Sequence, residues 1–233
     1  HQCRRPPLYL FTIIRYTGGN YGGKGADGAN KNYGEAGKAG FVKIYRGNSN
    51  FKPDADGVTR LNYIESTGTQ YIDTGCAPSN NTKIIINLTP LASGMAENAV
   101  FGSTWAANGF FLMFYQNMLR WHSKGASVDV SAFNTAGENE IICTPTKITV
   151  NGTSYNLNGT GTDTTKPITL FYAGDYAAAK YGVFKLHSCK IYEGDTLIKD
   201  YVPALDKVGV PCLYDEVNKA YAYNNGTSTF LCG

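Results

Sequence analysis

From Gln70 onward the chain is cut into short runs rich in Thr, Ile, Val, Tyr and Phe, each bounded by Gly, Asn, Asp, Pro or Ser. Branched and aromatic side chains suit a pleated, half-buried surface, and the bounding residues suit turns. The runs are Gln70 to Asp73, Thr82 to Leu88, Ala99 to Phe101, Gly109 to Gln116, Met118 to Ser123 and Ser127 to Ala132. They continue with Glu140 to Cys143, Lys147 to Val150, Thr153 to Leu157, Ile168 to Tyr172, Gly182 to Tyr192 and Thr196 to Tyr201. So many short strands with no helical stretch between them predict an all-β chain, an antiparallel sandwich or barrel. Composition excludes a helical bundle: 27 of 233 residues are glycine, against about 7% in an average protein. Asn151-Gly152 predicts a two-residue hairpin turn, because Asn-Gly supplies the positive φ angles of a type I′ turn. Asn225-Gly226 predicts the same device near the C-terminus.

Ahead of these runs lies a different pattern. Gly19, Gly22, Gly25 and Gly28 recur every third residue, and after a break at Lys31 the same frame resumes at Gly34, Gly37 and Gly40. Glycine at every third position is what an extended three-residue-per-turn helix needs where neighbouring strands approach closely. Collagen is excluded, since no proline occurs between Pro7 and Pro53 to stiffen the helix. Two readings stay open, a disordered polar linker and a glycine-packed bundle of extended helices. The flanking runs Leu8 to Ile14 and Phe41 to Tyr45 read as strands that could pair with each other or with other copies. Residues 1–58 are therefore expected to be an assembly segment with a polar linker from Gly47 to Gly57, and residues 59–233 a sandwich domain. The assembly expected is a homotrimer held by the glycines named above.

Charge and cysteine usage narrow the function classes. The net charge is only +3, and the 21 Lys and Arg are scattered rather than gathered in a stripe, so nucleic acid is not the expected partner. No apolar run approaches the ~20 residues that span a bilayer, and the start is not a signal sequence; a fragment or processed form without membrane insertion is expected. Cys3, Cys76, Cys143, Cys189, Cys212 and Cys232 show no C-x-x-C pair and no zinc-finger histidine spacing. No metal site is expected from them, and free core thiols are favoured over a disulfide framework.

The run Leu61-Asn-Tyr-Ile-Glu-Ser-Thr-Gly-Thr-Gln-Tyr-Ile-Asp-Thr-Gly75 resembles the opening of concanavalin-like (laminin-G-like) jelly-roll domains of phage and prophage tail proteins and gut-bacterial surface proteins. The resemblance continues through Lys147-Ile-Thr-Val-Asn-Gly-Thr, Phe184 to Pro203, Leu213 to Tyr221 and Asn225 to Phe230, covering roughly three quarters of the chain. The glycine-rich segment is similar in composition to regions of tail-fibre and adhesin proteins. The family implies two packed antiparallel sheets in a jelly roll, a place on a virion tail or cell surface, and other tail or surface proteins as neighbours. It implies no catalytic activity. Val210-Pro-Cys-Leu-Tyr and Tyr221-Ala-Tyr223 depart from the family pattern.

The expectation is thus a non-enzymatic receptor-binding or adhesion protein whose partner is a surface glycan or glycoprotein. The alternative is a structural decoration module that binds no sugar. A sugar site needs an aromatic platform with planar hydrogen-bonding groups beside it. Trp105 and Asn108 in the Gly102 to Gly109 loop are candidates, as are Arg120 and His122, which alternate with Leu119 and Trp121 and so face away from the core. The Gly174 to Gly182 loop offers Asp175, Tyr176 and Tyr181. Each is weighed against ordinary surface. Glu138 and Glu140 are the only closely spaced glutamates a glycosidase could use, and Ile142 and Cys143 stand where a third acid would be. There is no Gly-x-Ser-x-Gly elbow, and His187 reads as an outward strand residue. No cofactor is expected; a calcium ion would have only Asp163 and Asp175 to draw on.

Overall fold

The computed structural model describes residues 52–92, 95–104, 109–123, 125–158, 164–174 and 180–233. The assembly glycines Gly19 to Gly40 lie outside the described residues, as do Cys3 and Asp163.

The described chain is all-β. In order, the strands are β1 (Thr59–Arg60), β2 (Ile64–Glu65), β3 (Ile72–Asp73), β4 (Thr82–Pro90), β5 (Glu97–Gly102), β6 (Phe110–Tyr115) and β7 (Met118–Ser123). Next come β8 (Ala126–Val130), β9 (Asn139–Thr144), β10 (Lys147–Val150), β11 (Thr153–Asn156), β12 (Thr169–Leu170), β13 (Tyr172–Ala173) and β14 (Lys180–Tyr181). The chain closes with β15 (Phe184–Glu193), β16 (Thr196–Leu205), β17 (Pro211–Asp215), β18 (Ala220–Ala222) and β19 (Leu231–Cys232). One sheet has the order β11-β10-β9-β4-β15-β16-β17-β18, with β1 beside β16, β2 beside β15 and β19 beside β2. The other is β3-β12-β5-β6-β7-β8, and β13 pairs only with β14. All pairings are antiparallel.

Alternation decides which side chains meet. Ile84, Ile86 and Leu88 of β4 point inward with Ile141 and Cys143 of β9 and Leu186, Cys189 and Ile191 of β15. From the second sheet, Leu112 and Phe114 of β6 and Leu119 and Trp121 of β7 join them in one continuous core. Two antiparallel sheets burying their inner faces against each other make a sandwich-like architecture. Trp121 is fully buried, packs edge-on to Phe110 at 4.8 Å and donates its indole N–H to the Thr144 carbonyl at 3.1 Å. One side chain thereby ties β7, next to the edge of the smaller sheet, to the end of β9.

The polar groups inside are satisfied locally. Gln70 is fully buried; its Oε1 accepts from the Ser66 hydroxyl at 3.0 Å and the Thr67 amide at 2.9 Å. Its Nε2 donates to Thr67 Oγ1 and, 159 positions along the chain, to the Thr229 carbonyl at 3.1 Å. Asn139 likewise holds the loop before β9, accepting from the Asn134 amide and donating to the Asn134 and Gly137 carbonyls. Asp215 is almost fully buried and accepts from Lys199 Nζ at 3.1 Å, Asn218 Nδ2 at 2.6 Å and the Asp200 amide at 3.2 Å. Burial opposes its charge, yet these donors outweigh it and hold the carboxyl below its usual range.

Asn151-Gly152 forms the expected turn, with φ of 49° and 84°. Asn225-Gly226 does not: it is no hairpin turn, and a Cβ on Gly226 would stand 2.0 Å from the Thr69 carbonyl oxygen. Asn225 instead runs beside β3, donating its amide to Tyr71 and accepting from the Asp73 amide through its side chain. This glycine serves close approach, not a reversal. The expected single strand Ile168 to Tyr172 also divides. Phe171 adopts φ of 64° and buries its ring against Phe184 at 4.4 Å, turning the chain out of the smaller sheet between β12 and β13. Strand β17, whose Val210-Pro-Cys-Leu-Tyr run departs from the family pattern, is buried throughout, and Tyr221 packs on Tyr214 at 5.1 Å.

Replacing Gln70 by Leu keeps the volume but strands the Thr67 amide and the Thr229 carbonyl, so urea unfolding should lose about 3 kcal/mol with an unchanged m-value. A loss under about 0.5 kcal/mol would disprove the clip. For Asp215 the lowered folded pKa means that its stabilisation is complete above the unfolded value of 3.8 and disappears as pH falls through the folded value. Asp215→Asn should therefore melt lower than wild type at pH 7, with the gap narrowing between pH 4 and pH 2; a gap independent of pH would contradict an ionised Asp215.

Candidate functional site

The residues alternating out of β6, β7 and β8 make the outer face of the smaller sheet. Phe111, Met113 and Tyr115 stand beside His122, Arg120 and Met118 by register, and Arg120 and His122 stand beside Asp129 and Ser127. Arg120 grips Asp129 with two parallel bonds, Nε to Oδ1 and Nη2 to Oδ2, both 2.7 Å. Its guanidinium lies 3.8 Å from the Tyr115 ring centroid. The carboxylate raises an already high Arg pKa, and its two bonds hold the guanidinium over the ring. His122 stacks on Phe111 at 4.6 Å with 7° between planes, and its Nδ1 lies 2.7 Å from Ser127 Oγ. The sequence expectation of Arg120 and His122 facing out holds, and both are positioned by partners on two neighbouring strands.

Strands β13 and β14 fold back as a flap over β5. Gly102 admits it: a Cβ there would meet Ala173 Cβ at 2.6 Å and Phe111 Cβ at 2.9 Å. Ala99, Phe111, Met113 and Ala173 form a small buried cluster beneath the flap, with Tyr115 against it. Lys180 Nζ reaches Glu97 at 3.0 Å. At the flap's other side, Tyr172 and Tyr181 face one another across the pair and meet Tyr71, with centroids 4.9 Å and 5.1 Å from Tyr172. In sequence Tyr181 belongs to the Gly174 to Gly182 loop; in the fold it stands on β14 opposite Tyr172.

Trp105, Asn108, Asp175 and Tyr176 lie outside the described residues. The strand ends that flank the first two are placed: Gly102 pairs with Phe111, Phe110 with Ser123 and Ser123 with Ala126, so β5 and β6 meet at the His122 end of the sheet.

The other sequence candidates fall elsewhere. Glu140 projects from the outer side of the larger sheet, where its register partner on β4 is Asn87 rather than an acid. Glu138 lies just before β9, two residues from Glu140. His187 sits on that same outer side with Nε2 at 2.9 Å from Thr89 Oγ1 and Nδ1 at 2.9 Å from the Asn62 carbonyl. Burial pushes the thiols of Cys143 and Cys189 up and that of Cys212 up to about 12, the opposite of nucleophile activation. Among the described residues, His, Cys, Asp and Glu form no cluster of three suited to a metal ion.

No family model matches the chain, and a comparison with curated proteins finds no match.

Gly102→Val should displace the flap without unfolding the sheet. Hydrogen exchange is expected to show lost protection at the Gly182 amide, which donates to the Phe171 carbonyl at 2.7 Å, with β6 and β7 unchanged. Retained protection at Gly182 would refute the close approach at Gly102.

Proposed function

We propose that this chain is a non-enzymatic receptor-binding or adhesion protein of phage-tail or bacterial-surface type, its sandwich a concanavalin-like jelly roll that binds a surface glycan. The observation that carries this reading is the outer face of the smaller sheet. Two planar cationic or hydrogen-bonding side chains, Arg120 and His122, are laid on aromatic rings and fixed in orientation by Asp129 and Ser127. Preorganised planar groups are what recognition of a sugar's hydroxyls requires, and the partly exposed Tyr115 beside them adds apolar surface. The inferred jelly roll is supported by the two antiparallel sheets and by the resemblance of the Leu61 to Gly75 run.

The test is binding of the full chain to an immobilised glycan array and to intact bacterial cells. Saturable glycan binding is expected, weakened about tenfold or more in the double variant Arg120→Ala, His122→Ala, and reduced in Trp105→Ala. A folded protein that binds neither the array nor cells would favour the decoration module.

A further inference from the structure

Of the three tyrosines on the other side of the flap, the sequence offers only Tyr181 as a candidate, and none stands on β7 with Arg120 and His122. Tyr71 precedes β3, the edge strand of the smaller sheet, and points outward because Ile72 points in. The flap brings Tyr172 and Tyr181 onto it, with Tyr71 to Tyr181 centroids 6.4 Å apart. All three rings are half-buried. Every buried side-chain polar atom among the described residues has a partner, and the Tyr172 ring folds over Gly174, where a Cβ would stand 1.9 Å from the phenol oxygen. Burial, Tyr181 and Tyr71 push the Tyr172 phenol up, which keeps it neutral and able both to donate and to accept.

Two planar polar groups stand at the same edge. Asp73 lies two residues beyond Tyr71 on the same face, about 6.6 Å along the strand. It is exposed; its Oδ1 accepts the Gly75 amide at 2.8 Å, leaving the second oxygen outward. Asn225 is exposed beside it, its Oδ1 fixed by the Asp73 amide at 3.2 Å so that its NH₂ points away from that bond. A carboxylate and a carboxamide about one pyranose width from a cluster of rings pair an apolar contact with oriented acceptors and donors.

We infer that Tyr71, Tyr172 and Tyr181, with Asp73 and Asn225, form a contact site for a neutral pyranose, separate from the Arg120 and His122 face. The inference rests on the glycan-binding reading and adds where one sugar sits and of what kind: an uncharged ring, since Asp73 would repel an acidic one. The flap is then part of the site, because β13 and β14 supply two of its three rings.

Saturation-transfer NMR on the full chain with the methyl glycosides of glucose, galactose, mannose and N-acetylglucosamine tests it. At least one should receive saturation, and Tyr181→Ala and Asp73→Ala should each weaken its binding about tenfold. Tyr181→Phe should weaken it less, since the ring remains. Acetylation of wild-type tyrosines by N-acetylimidazole, mapped by mass spectrometry, should slow at Tyr172 and Tyr181 when that glycoside is present, a readout that needs no variant to fold. Binding unchanged in Tyr181→Ala but lost in Arg120→Ala, His122→Ala, with no protection at Tyr172 or Tyr181, would overturn this site and leave glycan recognition standing. No saturation of any glycoside, together with no binding on the glycan array, would overturn both.

Discussion

Trp121 sits where the two sheets must agree. Its ring fills the space between β7 and Phe101 and Phe110, and its N–H has to find an acceptor in an interior that offers no water. The Thr144 carbonyl supplies it from the far end of β9. That bond fixes the phase of β7, and with it the direction of every neighbour on the strand. If Trp121 is inward, Arg120 and His122 are outward; a one-residue slip would bury a guanidinium and expose an indole. The proposed recognition face is therefore a consequence of how the core is packed.

A second constraint is that the loops joining so many short strands carry backbone groups into the interior. Buried carboxamides and one buried carboxylate answer it. Gln70 ties the loop before β3 to the C-terminal segment, Asn139 organises the loop before β9, and Asp215 gathers Lys199, Asn218 and the Asp200 amide at the β17 turn. Leaving such groups unpaired would cost about 1–3 kcal/mol each. The Arg60 guanidinium does related work at the surface, joining Asp54 at 2.7 Å and Asp56 at 2.6 Å to Glu216 across β1. There the exposed charges hold geometry more than they add stability.

Strand positions from β4 to β10 could be read from composition because alternation and turn residues are local signals. The same alternation placed Leu119 and Trp121 inside and Arg120 and His122 outside. What escaped was set by contacts distant in sequence. Phe171 breaks a strand-like run because its ring is drawn between Phe184 and Phe230, neither adjacent in the chain. Gly226 looks like half of a hairpin turn but is needed where the C-terminal segment crosses Thr69. The short strands β1, β2, β14 and β19 have two residues each, too few to show a period; β1 and β2 exist because the long strands β16 and β15 offer them an edge, whereas β14 and β19 pair with the equally short β13 and β2. The partners of Arg120 and His122 were invisible for the same reason: Asp129 and Ser127 become neighbours only through the β7 and β8 register.

The outer face differs from an ordinary solvated surface in how little freedom it keeps. A surface arginine usually samples many rotamers and loses that entropy on binding. Arg120 has already given it up to Asp129 and Tyr115, and His122 to Ser127 and Phe111. A ligand that meets them forfeits less conformational entropy, which matters most for sugars, whose individual contacts are weak. The flap works in the same direction, since Gly102 lets Ala173 sit tightly and the paired tyrosines are held by backbone hydrogen bonds rather than by their own side chains. On the flap side of β5 the tight fit follows from two small residues, Gly102 and Ala173, that leave no space between flap and sheet.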